Sequence, residues 1–156
     1  MRVTEGFARK VSLGFIGLSF IGWIVFTVGF GLLRKWFNDD EVFENDDESN
    51  LYAFWAGSVI GPFVHILAIA HVLLWGLPSS VVGSITAVLS IMYLSAVGYG
   101  MVYFGIYINN ISDDDVSGFE DYDRSFKLMF AGGFITTLFL VCCMLCVSVY
   151  CTGITL

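Results

Sequence analysis

From Leu51 to Ile108 the chain carries no Asp, Glu, Lys or Arg. A helix crosses the ~30 Å hydrocarbon core of a bilayer with about 20 apolar residues. The uncharged run is too long for one crossing and long enough for two joined by a turn. Gly76-Leu77-Pro78-Ser79-Ser80 supplies the turn, since proline lacks an amide donor and glycine tolerates positive φ. A helical hairpin in lipid is the expectation, and the remaining sequence is arranged around it.

Two further apolar runs flank the hairpin, giving expected spans of about 11–33, 51–75, 80–108 and 128–150. The first is longer than the 7–15 residue core of a signal peptide and has no small-residue cleavage pattern after it, so it is expected to stay attached. Hydrophobic residues make up 57% of the 156 and charged ones only 13%, about half the charged share of a soluble domain. Lipid is the simpler solvent for such a surface. The predicted fold is therefore all-α, a four-helix transmembrane bundle forming a single membrane domain, with acidic loops at 34–50 and 109–127.

The formal charge of −7 is concentrated. Every acidic residue except Glu5 falls in Asp39–Glu48 or Asp113–Asp123, and no basic patch supports nucleic-acid binding. Arg2, Arg9 and Lys10 precede the first span, whereas Arg34, Lys35, Arg124 and Lys127 flank the acidic segments, so the positive-inside count alone is balanced. The N-terminal segment usually dominates, and Asn110-Ile111-Ser112 is a glycosylation sequon with Asn110 as acceptor. Both favour termini on the cytoplasmic (or matrix) side and acidic loops outside. The four-span layout is similar to that of claudin-like and MARVEL-type tetraspan proteins. The first loop nevertheless has no Trp-Gly-Leu-Trp-x-Cys-x-Cys motif and no cysteine.

Within the spans, Trp55 and Trp75 stand about 30 Å apart along a helix, suiting the two interfacial belts. His65 lies midway between them, and an ionisable residue at that depth is a functional candidate. The plainer and preferred reading is a neutral histidine hydrogen-bonded to a neighbouring helix, with Ser90, Tyr93, Thr136 and Thr137 at matching depth. His71, six residues along and rotated about 240°, cannot join His65 in holding one haem from opposite sides. No cofactor is called for. The glycines of the first span (Gly14, Gly17, Gly22, Gly29, Gly31), the Gly57/Gly61 pair and Gly132/Gly133 with Thr136/Thr137 predict close helix packing. Pro62 predicts a kink in the second helix.

Four other features carry alternatives. Cys142, Cys143 and Cys146 share one side of a helix but lie in an apolar run without matching ligands, so they read as packing residues. Cys151 sits at the membrane edge, where S-palmitoylation occurs. Tyr99, Tyr103 and Tyr107 recur every four residues and would either line a polar groove or pack between helices. Asp113, Asp115, Ser117 and Asp121 occupy positions one, three, five and nine of a calcium loop with Gly118 at six, yet position twelve is Arg124 where a bidentate Glu belongs. A solvated acidic surface is the plainer account of that segment.

No nucleophile stands beside a base, no carboxylates pair in a span and no phosphate loop occurs. The sequence therefore points to a non-enzymatic tetraspan, a scaffold or accessory subunit whose partners are the lipid bilayer and other membrane-protein subunits. A small channel or transport subunit formed by homo-oligomerisation is the alternative, followed by a haem-bearing electron-transfer subunit using His65.

Overall fold

The computed structural model describes residues 4–39, 48–75, 80–110 and 119–152, with side-chain surroundings for 4–35, 56–74, 81, 83–102 and 123–150. These residues are almost entirely helical, with no strand among them. The helices are α1 (Glu5–Asp39), α2 (Glu48–Ala70), α3 (Ser80–Asn110) and α4 (Phe119–Thr152), and α2 runs on into a π-helical turn, His71–Trp75. Each helix is long and apolar enough to cross a membrane. The protein is the four-helix transmembrane bundle that its composition predicts.

The helices outrun the apolar runs at several ends. Thr4 starts α1 as an N-cap: its hydroxyl accepts from Phe7 N–H at 3.4 Å, and Ala8 N–H closes the first turn on Thr4 O. An ion pair between Glu5 and Arg9 (2.7 Å) braces that turn. At the far end α1 continues through Arg34 and Lys35 to Asp39, and α4 begins at Phe119, with an Asp123–Lys127 pair one turn apart. Much of what the sequence assigns to loops is thus helix. Residues 40–47, 76–79 and 111–118, including the turn at Pro78, lie outside the described residues.

Consecutive helices are neighbours, and α4 closes the ring by packing along α1 in the most extensive pair of the bundle. On α1 the positions 8, 12, 15, 19, 22, 26, 29 and 33 alternate steps of four and three, the spacing of a coiled-coil seam. They hold Ala8, Ser12, Phe15, Ser19, Gly22, Phe26, Gly29 and Leu33, all buried or half-buried. Positions 125, 129, 132, 136, 139 and 143 on α4 follow the same rule. The two run antiparallel: a methyl on Gly29 would stand 2.5 Å from Met129 N, and one on Gly22 would stand 2.7 Å from Thr136 N. A methyl on Gly132 would overlap the backbone of Phe26. Glycine is required at these three positions because backbone meets backbone there.

The glycine expectation divides at this point. Gly22, Gly29, Gly57, Gly61, Gly132 and Gly133 all meet neighbouring helices, as expected of packing glycines. Gly14, Gly17 and Gly31 do not: nothing lies within 4 Å of where their Cβ would be, because they occupy the opposite face of α1. Hydropathy cannot distinguish the two faces of an apolar helix, so the sequence could not separate the sets.

One buried cluster comprises Phe26, Phe30, Leu33, Val64, Tyr93, Val97, Met129 and Leu140; a second comprises Ala8, Ile16, Ala68, Val72 and Cys143. Outward-facing side chains such as Phe63, Ile66, Leu74, Val81 and Val102 are apolar and more than 60% exposed. In water such a surface would associate. In lipid it is ordinary.

Candidate functional site

Pro62 sets up the local geometry of α2. Lacking an N–H, it leaves the carbonyl of Ser58, four residues earlier, without its helical donor. The Trp23 indole of α1 fills that vacancy, donating from Nε1 to Ser58 O at 3.2 Å. Gly61 makes the approach possible, since a methyl there would collide with the indole. The Gly57/Gly61 pair thus makes room for the Trp23 indole at Gly61 and for Val97 of α3 at Gly57.

One turn beyond Gly61, His65 is fully buried. Its Nδ1 lies 2.7 Å from Gly61 O and its Nε2 lies 2.9 Å from Ser19 Oγ of α1. The Ser19 hydroxyl also stands 3.1 Å from Thr136 O in α4, while Thr136 Oγ1 donates back to Ser19 O at 3.2 Å. This reciprocal pair locks α1 to α4 where Gly22 permits close contact. Tyr93 of α3 completes the layer, its ring edge-to-face with the imidazole at 6.2 Å. Each helix therefore contributes one polar residue (Ser19, His65, Tyr93, Thr136) to a single fully buried layer. Phe20 and Trp23 enclose the imidazole from the α1 side, at 5.5 and 6.5 Å.

The sequence singled out His65 and named Tyr93 and Thr136 among residues at its depth; the structure brings all three together. It missed Ser19, which makes the direct contact, and Trp23. The available signal was the seven-residue spacing of Ser12 and Ser19 within the small-residue seam of α1. His71 is also buried, packed against Gly83 at the start of α3. Its Nε2 has no partner among the described residues. The hydroxyls of Thr27, Ser58, Tyr93 and Thr137 share that condition.

Tyr99 is 57% exposed, on the outer face of α3, whereas the side chains of Tyr103 and Tyr107 lie outside the described residues. Cys142, Cys143 and Cys146 are free thiols, Cys143 buried beside Ile16 and Ala68. Among the described residues no three His, Cys, Asp or Glu side chains converge as a ligand set. Asp113, Asp115 and Ser117 lie outside the described residues. Asp121 and Arg124 fall on the first turns of α4, so the second half of the calcium pattern is helical. Asn110 ends α3 and Cys151 lies near the end of α4, and the surroundings of both side chains are outside the described residues.

Fold and site together define an integral-membrane helical bundle with one polar layer sealed inside an apolar core. Comparison of the chain with protein-family models, with curated proteins and with solved structures finds no match.

Proposed function

We propose that the chain is a non-enzymatic, multi-pass membrane protein that serves as a scaffold or accessory subunit of a larger membrane assembly. The observation that carries this reading is the outward face of α1. Gly14, Gly17 and Gly31 are exposed with open space above them, in a row with exposed Ile21, Ile24 and Val28 at steps of three and four. Glycine offers acyl chains little to pack against, but it lets another helix approach closely. The partner this face suits is a transmembrane helix of another subunit. Replacing Gly14 and Gly17 together with leucine is expected to cut co-purifying membrane subunits at least tenfold in mild detergent, by quantitative mass spectrometry. Unchanged recovery would dismiss the face as a docking surface.

The homo-oligomeric conduit is the second reading, favoured by the unpartnered buried hydroxyls of Thr27, Ser58, Tyr93 and Thr137. A symmetric particle containing only this chain would support it over the accessory role. The electron-transfer reading is the least favoured, because both ring nitrogens of His65 are engaged by protein oxygens.

For orientation, we place both termini on the cytoplasmic (or matrix) side and the acidic segments outside. Arg2, Arg9 and Lys10 ahead of α1 and the sequon at Asn110 support that choice. Protease added to sealed right-side-out vesicles should cut within 38–50 or 112–124 and spare an N-terminal tag. Loss of the tag with both acidic segments intact means the reverse orientation.

A further inference from the structure

The hydrogen-bond layer around His65 holds a countable number of protons. The carbonyls of Gly61 and Thr136 can only accept. His65 Nδ1, 2.7 Å from Gly61 O, therefore carries a proton. The Ser19 hydroxyl has one proton and two claims on it. Given to Thr136 O at 3.1 Å, it leaves Oγ as an acceptor facing Nε2 at 2.9 Å, and that contact is a hydrogen bond only when Nε2 is protonated as well. Given instead to Nε2, it suits a neutral ring, and the contact to Thr136 O lapses. The two arrangements differ by one proton and by the rotation of one hydroxyl.

We propose that His65 and Ser19 form a binding site for a single proton at the centre of the bundle. The occupied state is the one in which all three contacts are made, with Nδ1–H on Gly61 O, Nε2–H on Ser19 Oγ and Ser19 O–H on Thr136 O. A cation there has no carboxylate beside it. It has aromatic rings instead: Phe20 and Tyr93 stand edge-to-face with the imidazole at 5.5 and 6.2 Å, and Trp23 is tilted at 6.5 Å. The ionisable groups around the site are few. Between Lys10 and Arg34, α1 contributes none; along α2 and its π-helical turn the nearest is His71, six residues on; α3 offers Tyr93 and, six residues past it, Tyr99; and the nearest on α4 are Cys142 and Cys143, six and seven residues past Thr136. Proton uptake therefore places one positive charge in the core and joins α2 to α4 through the Ser19 hydroxyl. This site is independent of whether the protein is an accessory subunit, because it needs no partner chain.

The test is ¹⁵N-histidine magnetic resonance on the full chain in liposomes, between pH 8 and pH 4. The His71→Gln variant leaves His65 as the sole imidazole; if it does not fold, the native chain is read and His65 is assigned by the signal lost in His65→Asn. The expected result is a neutral ring protonated at Nδ1 at high pH that converts to a doubly protonated ring on acidification, with helicity retained. At the pH where the native ring is half protonated, Ser19→Ala should hold less than a tenth of the charged form, and Ser19→Thr, which keeps the hydroxyl, should restore it. A ring that stays neutral until the helices unfold, or an identical titration in Ser19→Ala, overturns the proposal.

Discussion

Gly132→Leu is expected to separate α1 from α4 and leave little folded bundle. A side chain at this position must displace the backbone of Phe26 rather than a flexible neighbour. The cost should lie at or above the upper end for overpacked cores, about 3 kcal/mol, a large part of the ~5–15 kcal/mol that holds a typical domain together. Gly17→Leu serves as the contrast, since open space surrounds that position. Its effect on folding should stay within about 0.5 kcal/mol, even though the same face is proposed to hold a partner. Denaturation in mixed micelles, followed by circular dichroism, compares the two. Equal midpoints for Gly132→Leu and the native chain would mean that α1 and α4 do not meet at this seam.

The second large effect concerns the carbonyl that Pro62 strands. Trp23→Phe removes the indole N–H that donates to Ser58 O and leaves that acceptor unmet, at a cost of about 1–3 kcal/mol beyond the loss of ring volume. Pro62→Ala returns a backbone N–H to the helix and gives that carbonyl its ordinary partner. In the Pro62→Ala background, Trp23→Phe should therefore cost about 1 kcal/mol less than it does alone. A double-mutant cycle measures the coupling directly. Strict additivity, within about 0.3–0.5 kcal/mol, would mean that the indole acts only by filling space.

The spans were legible because lipid imposes a plain requirement: every outward side chain must be apolar, so hydropathy marks the crossing. The same requirement hides the rest. On α2 and α3 the buried and lipid-facing sides are both apolar, and no amphipathic stripe tells which side turns inward. His65 stood out because an imidazole is rare at mid-span. Ser19 did not, because a small hydroxyl inside an apolar run is common, and its meaning comes only from what α2 and α4 bring beside it. Helix ends were underestimated for a related reason. Hydropathy records where the bilayer stops, whereas backbone hydrogen bonding carried α1 on to Asp39 and started α4 at Phe119. The division of the α1 glycines follows the same logic, since composition gives the number of small residues and only packing gives their direction.

The seam between α1 and α4 also fixes an order of events during synthesis. Ser19 and Thr136, which bond each other reciprocally, are 117 positions apart. At roughly 5–20 residues per second, α1 enters the bilayer about 6–23 s before its principal partner exists. During that interval its close-approach glycines and the Ser19 hydroxyl face lipid or the α2–α3 hairpin, and the first helix is the last to be secured. A chain stalled before α4 would present this whole unfilled edge to whatever quality-control factor patrols the membrane.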